Sequence, residues 1–151
     1  MIQKRIDVLV IGTEPPCPRC DLLAILVERA APPGCQIKVR HCAFDAPEAQ
    51  ALGLKVRRKI GTAKHVAQEA GIPVDWDAVY GLIEQKKRSL GPEARPADAW
   101  TPGLDKMLDS CRRASESAGY VMTPILVVNG SIVHHGDVPG REQIAEWLAK
   151  A

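Results

Sequence analysis

Two cysteines separated by two residues, Cys17-Pro18-Arg19-Cys20, carry the most direct chemistry in this chain. They fall where an apolar run, Ile6 to Ile11, gives way to a helical pattern, Leu22 to Ala30. A pair so spaced at a strand-to-helix turn can close a disulfide and reopen it. The first thiol then stands at a helix N-terminus, where unpaired backbone N–H groups and the positive end of the macrodipole favour thiolate. Only the thiolate attacks. Cys17 is therefore expected to attack and Cys20, one turn further in and less exposed, to resolve the mixed disulfide. The same two residues also read as inert thiols, or as half of a site for a soft ion such as Zn or Cu(I). That metal reading lacks a second CxxC or a ligand-spaced His, so it requires a partner or a dimer. Arg19 either adds a charge that favours the thiolate and draws an acidic substrate or glutathione, or is a solvated residue at the start of the helix.

The remaining titratable groups read as structure. Five cysteines, Cys17, Cys20, Cys35, Cys42 and Cys111, form no even framework, which argues against a secreted disulfide scaffold. In a reducing compartment a close pair points to catalysis or metal rather than to a structural bridge. Cys111 lies on an apolar helical stripe, Cys35 opens a strand, and Cys42 shares a strand face with Lys38 and Arg40, so all three read as packing thiols. His134 and His135 are adjacent on a strand, where successive side chains point to opposite faces, so one ion does not suit both. His41 and His65 have no ligand-spaced partner. The basic stretches Lys55, Arg57, Arg58, Lys59 and Lys86-Lys87-Arg88 read as solvated faces. Asp7 stands too near its strand start to act on the thiols.

These residues need elements to position them. Residues 5–11 form a near-continuous apolar run, the pattern of a strand buried on both faces. After the break at Gly12 to Pro16, the apolar residues Leu22, Leu23, Leu26, Val27 and Ala30 recur at helical spacing, and Ala31-Pro32-Pro33-Gly34 stops the helix. Gln36 to Phe44 reads as a second strand, so strand, helix and strand make a right-handed parallel crossover. Pro47 to Ile60 and Thr62 to Ala70 read as two helices broken at Gly61, and Val74 to Ser89 as a third. A loop, GPEARPADAWTPG, leads to a helix with Leu104, Met107, Leu108 and Cys111 on its apolar face, running towards Gly119. Near the end, Thr123-Pro124 precedes ILVVN and SIVHH, which flank Asn129-Gly130, a two-residue hairpin signal because both turn positions favour positive φ. A last helix from about Arg141 presents Ile144, Trp147 and Leu148 on one face.

At 151 residues the chain reads as one domain with an aliphatic core, since it holds one Phe, two Tyr and three Trp. A net charge of +2, with acids and bases interspersed, implies neither nucleic acid nor a membrane surface as partner. No apolar run reaches the ~18 residues of a membrane span, and MIQKRIDVLVIG lacks a leader's apolar core and cleavage site. The expected location is cytoplasmic.

The segments GTEPPCPRC after a strand and VMTPILVVNGSIVHHGDVPGREQIAEWL at the end resemble the thioredoxin-like superfamily, nearest to its small glutaredoxin-sized redox proteins with a Cys-Pro-Lys-Cys type site. They cover about residues 1–45 and 119–151. The resemblance implies an α/β fold, βαβ then ββα, with a four-stranded mixed sheet. It implies a helical insertion at about residues 46–102, placed like that of DsbA-type disulfide oxidases. In that superfamily the proline opening the third core strand is cis and lies against the cysteines, and Pro124 takes that place. With Thr123, Pro18 and Arg19 it is expected to shape a substrate groove, the Thr123 backbone being free to pair with an extended segment. The chain departs in having Pro15-Pro16 where thioredoxin has a tryptophan before its first cysteine, and Pro-Arg in place of Gly-Pro. The implied activity is a thiol-disulfide oxidoreductase acting on protein or small-molecule disulfides, with a dithiol electron donor and no organic or metal cofactor. A reading of another class makes the insertion a partner-binding scaffold acting through Trp76 and Trp100.

Overall fold

The computed structural model describes residues 4–151. The first three residues, on which the expectation of no leader partly rests, lie outside the described part. The chain begins with β1 (Lys4–Gly12), α1 (Pro18–Arg29) and β2 (Cys35–Ala43), then α2 (Pro47–Val56), β3 (Lys59–Gly61), α3 (Ala63–Ala70) and α4 (Trp76–Lys87). A 3₁₀ turn (Pro96–Ala99), α5 (Pro102–Met107), α6 (Asp109–Ala114), β4 (Tyr120–Met122), β5 (Ile125–Val128), β6 (Ser131–His135) and α7 (Arg141–Ala149) complete it. The fold is mixed α/β with a four-stranded sheet in the order β2-β1-β5-β6. β1 pairs parallel with β2 and antiparallel with β5, and β5 pairs antiparallel with β6.

The apolar run of β1 exists because both faces of the sheet are covered. Ile6, Val8 and Val10 point to one side, where Leu23 and Val27 of α1 meet Ile144 and Leu148 of α7. Leu9 and Ile11 point to the other, against Ala49 of α2, Ile60 and Val121. The hairpin forms at Asn129 (φ 48°) and Gly130 (φ 82°) as the sequence predicts, with an irregularity at Leu126/Val127. A third core, with Val66, Val79, Leu104, Leu108, Cys111 and Met122, binds α3 to α6 to one another. The helical body therefore continues past residue 102 into α5 and α6.

Two expectations on this body are corrected. The helix expected over Pro47 to Ile60 stops at Val56, because Arg57 takes the left-handed conformation (φ 58°) and the Arg58 N–H turns back to Gly53 O (3.0 Å). Lys59–Gly61 then runs as a strand, parallel to β4 in a separate two-stranded sheet. The helix expected from Leu104 is split at Leu108, whose backbone (φ −104°, ψ 5°) leaves helical geometry between α5 and α6. No helix among the described residues is long and apolar enough to cross a membrane.

Candidate active site

Cys17 is the N-cap of α1, with extended backbone (φ −78°, ψ 168°) and Pro18 at the first helical position. Proline fits there because its missing N–H has no helical partner in any case. The cap geometry turns the Cys17 sulfur towards the orphan donors of the first turn, and Sγ accepts the Cys20 N–H at 3.5 Å. Cys17 Sγ and Cys20 Sγ are 3.1 Å apart, both as free thiols. The two have opposite acidities. The hydrogen bond from the Cys20 thiol, with help from its backbone N–H and the Arg19 charge, lowers Cys17 to about 6 against the effect of burial. Donating that bond, together with burial and the neighbouring Cys17 charge, pushes Cys20 well above the usual thiol value. At neutral pH the arrangement is a partly exposed Cys17 thiolate beside a fully buried Cys20 thiol.

Gly12 makes room for the buried sulfur. A Cβ at residue 12 would stand 2.1 Å from Cys20 Sγ and 3.3 Å from the His41 ring, so any side chain there displaces the thiol. The Thr13 hydroxyl donates to Pro15 O (2.9 Å) and His41 Nε2 meets Thr13 O (2.8 Å), fixing the loop that leads to Cys17. Glycine after a strand reads locally as a break, and nothing in the sequence near Gly12 signals a contact with Cys20.

Arg19 is only 5% exposed, so its solvated reading does not hold. Its Nε donates to Asp105 Oδ1 of α5 at 2.6 Å, and its guanidinium also donates to the Gly136 carbonyl. Asp105 in turn accepts from Trp100 Nε1 (3.0 Å). Two residues on, Asp21 accepts from the Arg95 guanidinium (2.6 Å) and from the Ala97 N–H (2.9 Å). The first turn of α1 is thus tied to the helical body by two partly buried carboxylate contacts. Asp21 and Asp105 are site residues that the sequence does not single out, since Arg19 lies 86 positions from Asp105, and Arg95 and Ala97 lie 74 and 76 positions from Asp21.

Two clefts open beside the thiols. One, of about 580 Å³, is lined by Pro15, Pro16, Cys17 and Pro18 on one side and by Tyr80, Ile83 and the 3₁₀ turn on the other. The second, of about 250 Å³, includes Cys17, Pro18, Lys64, Trp76, Tyr80 and Thr123. Helix α4 walls both. Lys64 Nζ lies over the rings of Tyr80 (4.8 Å) and Trp76 (5.4 Å).

The Thr123–Pro124 bond is cis, as is Glu14–Pro15. Pro124 is buried, and it is Thr123 that reaches the cleft wall. The expected free backbone donor at Thr123 is absent, because its N–H already bonds Gly61 O at 2.9 Å.

The other candidate groups lie elsewhere. His134 meets Asp137 (2.5 Å) whereas the ring of His135 accepts the Met122 N–H (3.3 Å), so the neighbouring imidazoles diverge. Among the described residues no three His, Cys, Asp or Glu side chains are grouped to hold a metal ion. Burial raises both Cys42 and Cys111, in keeping with packing roles, and Cys35 packs partly buried against the first core. Of the basic stretch, Arg58 is not a solvated residue, since its guanidinium donates to Tyr120 O. Asp7 sits at the exposed strand start with Arg40 3.5 Å away. Compared with family models, with curated proteins and with solved structures, the chain finds no match.

Proposed function

We propose that this protein is a thiol-disulfide oxidoreductase of thioredoxin-like kind, reducing disulfides through Cys17 and Cys20. The observation that carries the reading is the 3.1 Å sulfur pair in which the partly exposed member is acidified and the buried member is not. The sheet order, the strand–helix–strand start and the terminal hairpin with its helix support it.

The Cys17 thiolate attacks one sulfur of a disulfide RS–SR′, forming a Cys17–S–S–R bond and releasing R′S⁻, which takes a proton from solvent. Cys20 then gives up its proton and attacks Cys17 Sγ. The Cys17–Cys20 bond forms, the bond to R breaks, and RS⁻ leaves with the electron pair. Substrate gains two electrons and the protein dithiol loses them, so a dithiol donor must restore the reduced pair. No organic or metal cofactor enters these steps. Five cysteines, an odd number with no even framework, suit a reducing compartment, with the cytoplasm the proposed location.

A turnover assay with a dithiol donor tests this. Cys17→Ser is expected to abolish activity, and Cys20→Ser to accumulate mixed disulfides on Cys17. Unchanged turnover in both variants removes the proposal.

A further inference from the structure

We infer that the Cys17–Cys20 couple acts on low-molecular-weight disulfides held by side-chain contacts in the clefts beside Cys17, not on peptide segments paired as an added strand along Thr123. The inference rests on the redox reading above and narrows its substrate.

An extended peptide docks by strand addition only where a sheet edge presents unpaired backbone groups. The edge that runs to Thr123 is β4, and β3 of the same chain already occupies it. Ile60 stands opposite Val121 and Gly61 opposite Met122, and the Thr123 N–H continues this ladder by bonding Gly61 O at 2.9 Å. Thr123 is 5% exposed. β3 is firmly seated. The Ile60 side chain is buried in the core beneath the sheet, the Lys59 N–H bonds Gly119 O at 2.9 Å, and the Arg58 guanidinium holds Tyr120 O. An incoming strand would have to break the Thr123 bond and pull Ile60 out of an apolar core.

What remains open beside Cys17 is side-chain surface. The larger cleft, about 580 Å³, falls in the ~300–1,000 Å³ range of small-molecule sites. Pro18, Tyr80 and Ile83 line both clefts, so a small disulfide is gripped by apolar surface on either side of the attacking sulfur. Such a substrate needs no main-chain pairing. Its two halves leave as thiols in the two displacements already described.

The test compares bis(2-hydroxyethyl) disulfide, a peptide disulfide, and the same peptide N-methylated at the amides flanking its cysteine. With the wild-type protein, N-methylation is expected to change kcat/KM by less than about twofold, and the small disulfide to match or exceed the peptide. A loss of about tenfold or more on N-methylation overturns the inference and leaves the redox reading standing. Tyr80→Ala, at a side chain 45% exposed, is expected to raise KM for the small disulfide about fivefold with kcat little changed. An unchanged KM overturns the cleft as its site. Failure of the intact dithiol to reduce any of the three removes the redox reading, and this inference with it.

Discussion

Arg19, between the two cysteines, gives its guanidinium to Asp105 of α5 at 2.6 Å. Asp21, on the next residues of the same turn, accepts from Arg95 and the Ala97 N–H. The charges that open α1 therefore hold the helical body, and with it the Tyr80–Ile83 wall of the clefts, in place beside the thiol pair. The body and the thiols form one site because the turn that carries the cysteines is also the clamp.

Asp105→Ala leaves the Arg19 charge buried with one partner lost. Breaking one side of a buried pair costs about 3–5 kcal/mol, and at 17% exposure Asp105 belongs near the low end, roughly 3 kcal/mol. Arg19→Met likewise strands the Asp105 carboxylate, with only the Trp100 N–H left to it, and falls in the same range. The double variant Arg19→Met/Asp105→Leu removes both charges and is expected to lose less than the two single variants together, as measured by urea unfolding at neutral pH. Losses that simply add would refute the clamp.

Gly12→Ala forces a methyl into the space of Cys20 Sγ. Overpacking of this sort costs about 1–3 kcal/mol, and the sulfur must shift to relieve it. The expected result is lower stability together with slower closure of the Cys17–Cys20 disulfide under a mild oxidant. Wild-type closure in the variant contradicts the close approach.

Alkylation of Cys17 tests its acidity. Rate follows thiolate fraction, so it should rise with pH through about 6 and level off above neutrality, whereas an ordinary thiol keeps rising towards pH 9. Because the Cys20 thiol is the largest cause, Cys20→Ala should move the midpoint upward. An unchanged midpoint in that variant excludes the hydrogen bond as the cause.

His135 answers to acid. Burial first, then Arg58 and His134 nearby, hold it below the usual histidine value of 6.5. As pH falls below about 6.5 the unfolded chain binds the proton before the folded one does, so this stabilisation is present above 6.5 and lost as pH falls through the folded value. His135→Asn keeps an acceptor for the Met122 N–H and does not titrate. Between about pH 6.5 and pH 5 it should lose less stability than wild type, as measured by denaturant midpoint. Equal losses would place the acid sensitivity elsewhere.

The elements around the thiols are legible in the sequence because their signals are local. The unbroken apolar run of β1, the Pro-Pro-Gly stop after α1 and Asn129-Gly130 each specify their own segment. Val56 and Ile60 sit four apart and read as a helix continuing, yet Lys59–Gly61 is a strand because its partners, Tyr120 to Met122, lie far along the chain. Three-residue strands have no periodicity to find. The same distance separates the visible from the hidden parts of the site. Cys17 and Cys20 declare themselves by spacing, whereas the need for Gly12, the pairing of Arg19 with Asp105 and the closure of the Thr123 edge by Gly61 arise only from tertiary contact.

The most direct measurement is equilibration of the protein in dithiol–disulfide buffers of graded potential, with mass mapping of the thiols. The account predicts one two-electron transition, a bridge joining Cys17 to Cys20, and a midpoint within the range of about −270 to −120 mV spanned by enzymes of this chemistry. Cys17 and Cys20 remaining free thiols throughout, or bridging to Cys35 or Cys42 instead of to each other, would contradict it.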